Sequence, residues 1–144
     1  MPGLSGCLKH TAEVSQLNRE AKKEKKSVEQ LADRVVIRFP YNSTQKIDDP
    51  AVDDYLEKLS ARIVESGERI SLMGHTDAKG TDTDNQALGL NRAKAIYSIL
   101  MEKGVSSEQI DVDTKGESQP VASNATEQGM KENRRVELKI LTNN

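Results

Sequence analysis

The sequence predicts an α/β (α+β) fold, a two-layer sandwich in which helices pack on a mixed β-sheet, preceded by a charged helical arm. Short runs dense in β-branched residues alternate with stretches of helical periodicity, in the order βαβαβ-β. Strands separated by helices require crossover connections, which produce a sheet with parallel neighbours and helices covering it. No apolar run approaches the roughly 20 residues needed to span a bilayer.

Four strands are predicted from their composition and alternation. The first, residues 35–39, is rich in Val and Ile and is stopped by Pro40. The second covers residues 69–75 and the third residues 109–115, where apolar and acidic side chains alternate. The fourth, residues 135–140, has a clean period of two, which is typical of a strand with two different faces.

Two helices connect these strands. The first begins at Asp48-Asp49-Pro50 and ends at Gly67. Its predicted buried face consists of Val52, Leu56, Leu59 and Ile63. The second covers residues 84–103 and ends before Gly104. Its predicted buried face consists of Gly89, Ala93, Ile96 and Leu100. A long polar loop, residues 116–133, precedes the last strand.

Residues 1–34 are predicted to form an N-terminal arm, and residues 35–144 the folded domain. Between residues 14 and 35, apolar side chains recur three and four residues apart on a very polar background, with Glu24 interrupting the series. This pattern favours a solvated helical spacer, which would be about 39 Å long if residues 8–33 were helical. Weak self-association through this helix is a further expectation.

Cys7 is the only cysteine, so no intramolecular disulfide can form. Leu4-Ser5-Gly6-Cys7 resembles a bacterial lipobox, in which a signal peptidase cuts before a cysteine that carries lipid. We therefore expect Cys7 to be acylated and to anchor the protein to a membrane. Only three residues precede this tetrapeptide, so we expect a signal peptide in the native precursor. No cluster of Cys and His suits a structural zinc site, and no cofactor is expected.

The charge balance gives no reason to expect a nucleic-acid partner. The chain has 21 basic and 23 acidic residues, a formal net charge of −2, and 3% aromatic residues. Nucleic-acid binding needs a basic surface, and single strands need aromatic side chains for stacking, and this sequence offers neither.

The most informative stretch joins the second strand to the second helix. Gly74-His75-Thr76-Asp77 closes the strand, and Gly80 follows in the loop. Asn85, Leu88 and Arg92 are spaced three and four residues apart, so they share one side of the helix. The loop must fold over the first helical turns, which can bring Asp77 near Arg92.

These motifs resemble the C-terminal domain of the OmpA family, in the form found in peptidoglycan-associated lipoproteins and flagellar stator anchors. The resemblance covers about residues 35–141 and continues through Lys103-Gly104-Val105, Gly116 to Val121 and Asn133-Arg134-Arg135. Three positions depart from the usual pattern: Gly89 replaces Ser, Thr114 replaces Gly, and Met130 replaces Arg.

The resemblance implies non-covalent binding of peptidoglycan through the diaminopimelate of its stem peptide. Asp77 would accept from the ligand's ammonium, and Arg92 would donate to its carboxylate. Thr76 and Asn85 would shape the pocket, and Arg134 or Arg135 would add a cation at its edge. The protein would then lie in the periplasm, attached to the outer membrane.

Two other functions are considered. A cell-wall hydrolase would need a nucleophile pair or a zinc ligand set, and the sequence offers neither, so no catalytic residue is predicted. A structural or assembly subunit of an envelope complex, of secretion or motor type, could use the same wall-binding domain. For single residues, His75 is interpreted as a strand-end residue, and Asn133 as either a turn residue or part of the site.

Overall fold

A computed structural model describes residues 26–141. The predicted lipobox, Cys7 and most of the predicted arm lie outside this range. Within these residues, five strands and three α-helices follow one another. They are β1 (Val28–Gln30), β2 (Val35–Arg38), α1 (Pro50–Ser66), β3 (Arg69–His75), α2 (Asp82–Glu102), β4 (Ile110–Gly116), α3 (Glu127–Asn133) and β5 (Arg135–Leu141). A short 3-10 turn, Ser107–Gln109, precedes β4.

The five strands form one mixed sheet in the order β1-β2-β5-β3-β4. β3 and β4 are parallel, whereas β5 runs antiparallel to both β2 and β3. The carboxyl ends of β2, β3 and β4 therefore meet the beginning of β5 at one edge of the sheet. The predicted mixed sheet with packed helices is confirmed, and the loops leaving this edge carry most of the polar motif.

α1 and α2 begin and end where the sequence predicts, within two residues. Asp49 caps α1 by accepting from the Ala51 N–H, and Gly67 ends it with φ +73°, a left-handed conformation that glycine adopts without strain. Thr81 caps α2 in the same way, accepting from the Asp84 N–H. Both predicted apolar faces are buried.

The core lies between the two helices and one face of the sheet, and it is almost wholly aliphatic. Val136 and Leu138 of β5 contribute its centre, with Phe39 as the one buried phenylalanine. Among residues 26–141, no helix is long and apolar enough to cross a bilayer.

α2 approaches β3 backbone to backbone, which explains two departures from the family pattern. A side chain at Gly74 would collide with the Gly89 carbonyl, and a Cβ at Gly89 would collide with the Thr114 hydroxyl. Gly89 and Thr114 are therefore complementary, because the missing side chain on the helix leaves room for the threonine on β4.

Two predictions of secondary structure are wrong. The last part of the predicted helical arm is not helical: β1 pairs antiparallel with β2, with Val28 opposite Ile37, and the chain turns from Leu31 to Arg34. Pairing with a sheet edge outweighs a weak helical periodicity, because it satisfies the backbone groups of both strands.

The second wrong prediction is the uninterrupted polar loop at 116–133. It contains α3, which Thr126 caps by accepting from the Gly129 N–H. Gly129 is required here, since a Cβ would collide with the Ser123 carbonyl. A seven-residue helix with one buried apolar side chain, Met130, leaves no periodic signal in the sequence.

Candidate functional site

A cavity of about 150 Å³ opens at the edge where β2 and β3 end. The segment after β2, the segment after β3 and the first turns of α2 form its wall. Its lining residues are Tyr41, Asn42, Asp77, Lys79, Gly80, Asp84, Asn85, Leu88 and Arg92. The wall carries two carboxylates and two cations, so it is charged but formally neutral. We call this the first cavity.

Asp77 is buried, with 4% of its surface exposed, and two hydrogen-bond donors compensate its charge. Arg134 donates from Nη1 to Asp77 Oδ2 at 2.9 Å, and the Lys79 backbone N–H donates to Oδ1 at 3.0 Å. A carboxylate has about four acceptor positions, so each oxygen keeps capacity for another donor.

Arg92 is fully buried in the cavity wall. It donates to three backbone carbonyls: Nε to Ser43 at 2.8 Å, Nη1 to His75 at 3.0 Å and Nη2 to Pro40 at 3.0 Å. A guanidinium has five N–H donors, so one N–H remains on each Nη. Arg92 thus joins the segment after β2 to the end of β3.

Burial lowers the pKa of Arg92 to about 10, and the charge of Asp77 opposes that shift. Arg92 therefore stays protonated at neutral pH. Its guanidinium also lies over the Phe39 ring, 5.5 Å from the centroid, which stabilises a cation withdrawn from water.

Thr76 and Asn85 position the loops. The Thr76 hydroxyl donates to the Asp77 carbonyl at 2.8 Å, and its backbone N–H donates to Gly116. Asn85 Nδ2 donates to the Lys79 carbonyl at 3.0 Å and to Glu117 Oε1 at 2.8 Å. Asn85 lines the first cavity, whereas Thr76 does not.

Arg134 and Arg135 are adjacent in sequence but have separate environments. Arg134 bonds to Asp77 and, through Nη2, to Glu127 at 3.2 Å. Arg135 donates to Glu137 and to the Asn133 and Gln119 carbonyls, and it does not line the first cavity. Arg134 is therefore the cation beside Asp77.

Asn133 has a structural role, which decides between its two interpretations. Its Oδ1 accepts from the Val121 and Ala122 N–H groups, and its Nδ2 donates to Ala122 and Asn124. These bonds hold the segment before α3 in place.

The sequence did not predict Tyr41, Asn42, Lys79 or Asp84 as lining residues. Tyr41 is 56% exposed, with Lys79 Nζ 4.8 Å and Arg134 Cζ 5.8 Å from its ring centroid. Asn42 has φ +50°, a conformation that Asn tolerates better than most side chains. Pro40 signalled that a loop begins there, but only strand order brings that loop to the site. Within residues 26–141, no group of three or more His, Cys, Asp or Glu could hold a metal ion.

The fold and this edge together define an α+β binding domain with a small, charge-balanced cavity at the strand ends. The chain belongs to the OmpA family, whose pattern matches residues 38–134.

Two curated relatives are peptidoglycan-associated lipoproteins. The one from Pseudomonas aeruginosa is 49% identical over 74 residues, which is 51% of this chain and 44% of that protein. The one from Pseudomonas putida is 43% identical over 89 residues, which is 62% of this chain and 51% of that protein. The chain thus spans about half the length of these relatives.

Solved structures show the same fold. The peptidoglycan-associated lipoprotein from Burkholderia pseudomallei aligns with a TM-score of 0.70 and 30% identity, covering 76% of this chain and 92% of that one. The cell wall anchor of the T6SS from Pseudomonas aeruginosa aligns with a TM-score of 0.65 over 88% of this chain and 94% of that one. At 24% identity, the second similarity concerns the fold alone.

Proposed function

We propose that this domain binds peptidoglycan non-covalently through the diaminopimelate of the stem peptide. The observation that carries the proposal is the first cavity, where two carboxylates and two cations surround a space of about 150 Å³. The free end of diaminopimelate is a zwitterion with an ammonium and a carboxylate on one carbon. A wall that carries both charges complements it, and the names of the two Pseudomonas relatives state an association with peptidoglycan.

Asp77 and Arg92 divide the recognition of this zwitterion. The ligand's ammonium donates to the remaining acceptor positions of Asp77, and its carboxylate accepts the N–H that remains on each Nη of Arg92. A charge-assisted hydrogen bond contributes about 1.5–3 kcal/mol net. Arg134 holds Asp77 in place, and Asn85 holds the loop that closes over it.

The domain acts as an anchor and not as a catalyst. We propose that the protein lies in the periplasm, attached to the outer membrane through acylated Cys7. Mass spectrometry of protein taken from its natural membrane would detect the lipid, and an unmodified Cys7 thiol would contradict the anchor. Incubation with purified muropeptides should yield no hydrolysis products, and cleavage of any bond would contradict a pure binding role.

An envelope complex of secretion or motor type is the alternative setting, with the same wall-binding domain. Sedimentation of the full chain beside a chain lacking residues 1–25 tests it. Association that depends on those residues would favour assembly through the arm, whereas two monomers would favour a simple tether.

Calorimetric titration tests the ligand. A muropeptide containing meso-diaminopimelate should bind at least about tenfold more tightly than one containing lysine, because lysine lacks the terminal carboxylate to which Arg92 donates. Equal affinities for the two muropeptides would refute the assignment of the ligand.

Substitution of Asp77 tests the site. Asp77→Asn keeps the shape of the side chain and removes its charge, so we expect affinity to fall at least about tenfold. The matched control is Asp111→Asn, the same change at an exposed ion pair on β4, and it should bind normally. Circular dichroism spectra of both variants separate lost binding from lost folding.

A further inference from the structure

A second cavity, of about 380 Å³, lies next to the first, and Arg134 in its wall bonds to Asp77 in the wall of the first. Besides Arg134, the lining of the second cavity includes Arg38, Lys131, Phe39, Pro40 and Ile47. The two cavities are therefore neighbours, joined by one guanidinium.

Two charged donors in the wall of the second cavity are buried and unsatisfied. The Nη atoms of Arg38 bond to the Lys26 carbonyl and to Glu29, and those of Arg134 bond to Asp77 and Glu127. The Nε of each arginine has no partner within the part of the chain that the structure describes. The side chains are only 9% and 4% exposed, so water does not compensate for the missing bonds.

Such donors are rare, because leaving a buried N–H unpaired costs free energy. Residues 26–141 contain four unsatisfied buried side-chain nitrogens, two in these arginines and two in His75. Both arginines line the same cavity, so its wall contains two guanidiniums that each have an unused N–H donor.

The charge of the wall selects the kind of ligand. Its three ionisable side chains are all cations, and Lys131 forms no ion pair with residues 26–141. Phe39, Pro40 and Ile47 supply apolar surface next to these charges. This combination suits a carboxylate carried on a short methylene chain.

We propose that the second cavity binds a second carboxylate of the same stem peptide, on the residue attached to the diaminopimelate. The inference rests on the proposed function, because the first cavity must hold the diaminopimelate end for the neighbouring carboxylate to reach Lys131. Arg134 then contacts both halves of the ligand, directly in the second cavity and through Asp77 in the first.

The experiment compares two synthetic ligands, γ-glutamyl-meso-diaminopimelate and the same dipeptide with the glutamate α-carboxylate converted to an amide. Both carry the same diaminopimelate with its zwitterionic end, and only the first carries the glutamate α-carboxylate. Titrated against the full chain, the acid should bind roughly tenfold more tightly than the amide, the effect of one charge-assisted contact.

Lys131→Gln provides the matched variant, since Lys131 is exposed on α3 and lies outside the first cavity. It should weaken binding of the acid severalfold and leave the amide unchanged. Lys58→Gln removes an equal charge from a side chain that is 76% exposed on α1, and it should change neither affinity.

Each outcome has a distinct meaning. If acid and amide bind the wild-type chain equally, the second subsite is wrong and the proposed function stands. If Lys131→Gln lowers the affinity for both ligands equally, the lysine acts on the first cavity, and the assignment of the second subsite is again wrong. If neither ligand binds, the proposed function fails and this inference fails with it.

Discussion

Charged side chains occur at both ends of β3, but in opposite settings. At its beginning, Arg62 donates to Glu68 from Nε and Nη2, both at 3.0 Å, while the arginine side chain is 55% exposed. Beyond its other end, Arg134 reaches Asp77 at 2.9 Å, and both side chains are about 95% buried. The contact distances are nearly the same, so distance alone does not distinguish the two pairs.

Burial makes the difference. Water screens an exposed pair, which contributes little to stability, whereas removing one partner of a buried pair leaves an uncompensated charge in a poorly polarisable surrounding. The ion pairs at the beginning of β3 therefore maintain a solvated surface. Those near its end fix the geometry of a site, and three predictions test this contrast.

The largest effect on stability is expected at Glu137, a buried carboxylate on β5 that lies between two arginines. It accepts from Arg135 Nε at 2.8 Å and from Arg34 Nη1 at 2.7 Å. Glu137→Ala leaves the 2% exposed Arg135 without its carboxylate, so the free energy of unfolding should fall by about 3–5 kcal/mol. Urea denaturation measures this, and a loss below about 1 kcal/mol would show that the pair behaves like a surface pair.

The second effect is a dependence of stability on pH that originates at His75. Its side chain is 1% exposed, and burial, aided by the charge of Arg135, lowers its pKa from 6.5 to about 4. Below pH 6.5 the unfolded chain binds a proton on this imidazole, and the folded chain does not until about pH 4. The free energy of unfolding therefore decreases as the pH falls, by about 2 kcal/mol at pH 5.

Denaturation curves at pH 7.5 and pH 5 measure this loss. Glu137 should contribute little to this difference: burial raises its pKa, but its hydrogen bond to Arg135 and the charges nearby lower it by more, so the net shift is downward, away from these two pH values. In His75→Asn the difference between the two pH values should largely disappear, whatever the stability of the variant at pH 7.5. An unchanged difference would assign the effect to another group.

The smallest effect is expected at the exposed end. Arg62→Gln breaks both hydrogen bonds to Glu68, yet the free energy of unfolding should hardly change, because water already screens this exposed pair. In high salt the difference in free energy of unfolding between this variant and the wild-type chain should become smaller still, because mobile ions screen an exposed pair. A cost comparable with that of Glu137→Ala would remove the distinction between the two ends.

The sequence by itself determined the elements with repeating apolar patterns. α1 and α2 were predicted together with their buried faces, because a period of 3.6 residues is visible within a single helix. β3 was predicted at its observed ends, 69 and 75. The ordered motif from Gly74 to Arg92 was enough to predict the family.

Only the tertiary structure decided what the candidate site residues contact. Arg92 was predicted as a ligand-binding group, and two of its three bonds to backbone carbonyls depend on the segment after β2, about fifty residues earlier in the chain. Arg134 and Arg135 were equivalent in the sequence, and the contacts across the sheet distinguish them. Such contacts join residues that no local pattern connects.

The same reason explains the two wrong predictions and the family departures. β1 exists because β2 offers it an edge, and α3 because Gly129 fits against Ser123. Gly89 and Thr114 are unusual one at a time, and they make physical sense only as a pair across the packing of α2 on β4. Periodicity is encoded within a few turns of chain, whereas steric fit and charge compensation depend on segments that meet only when the chain has folded.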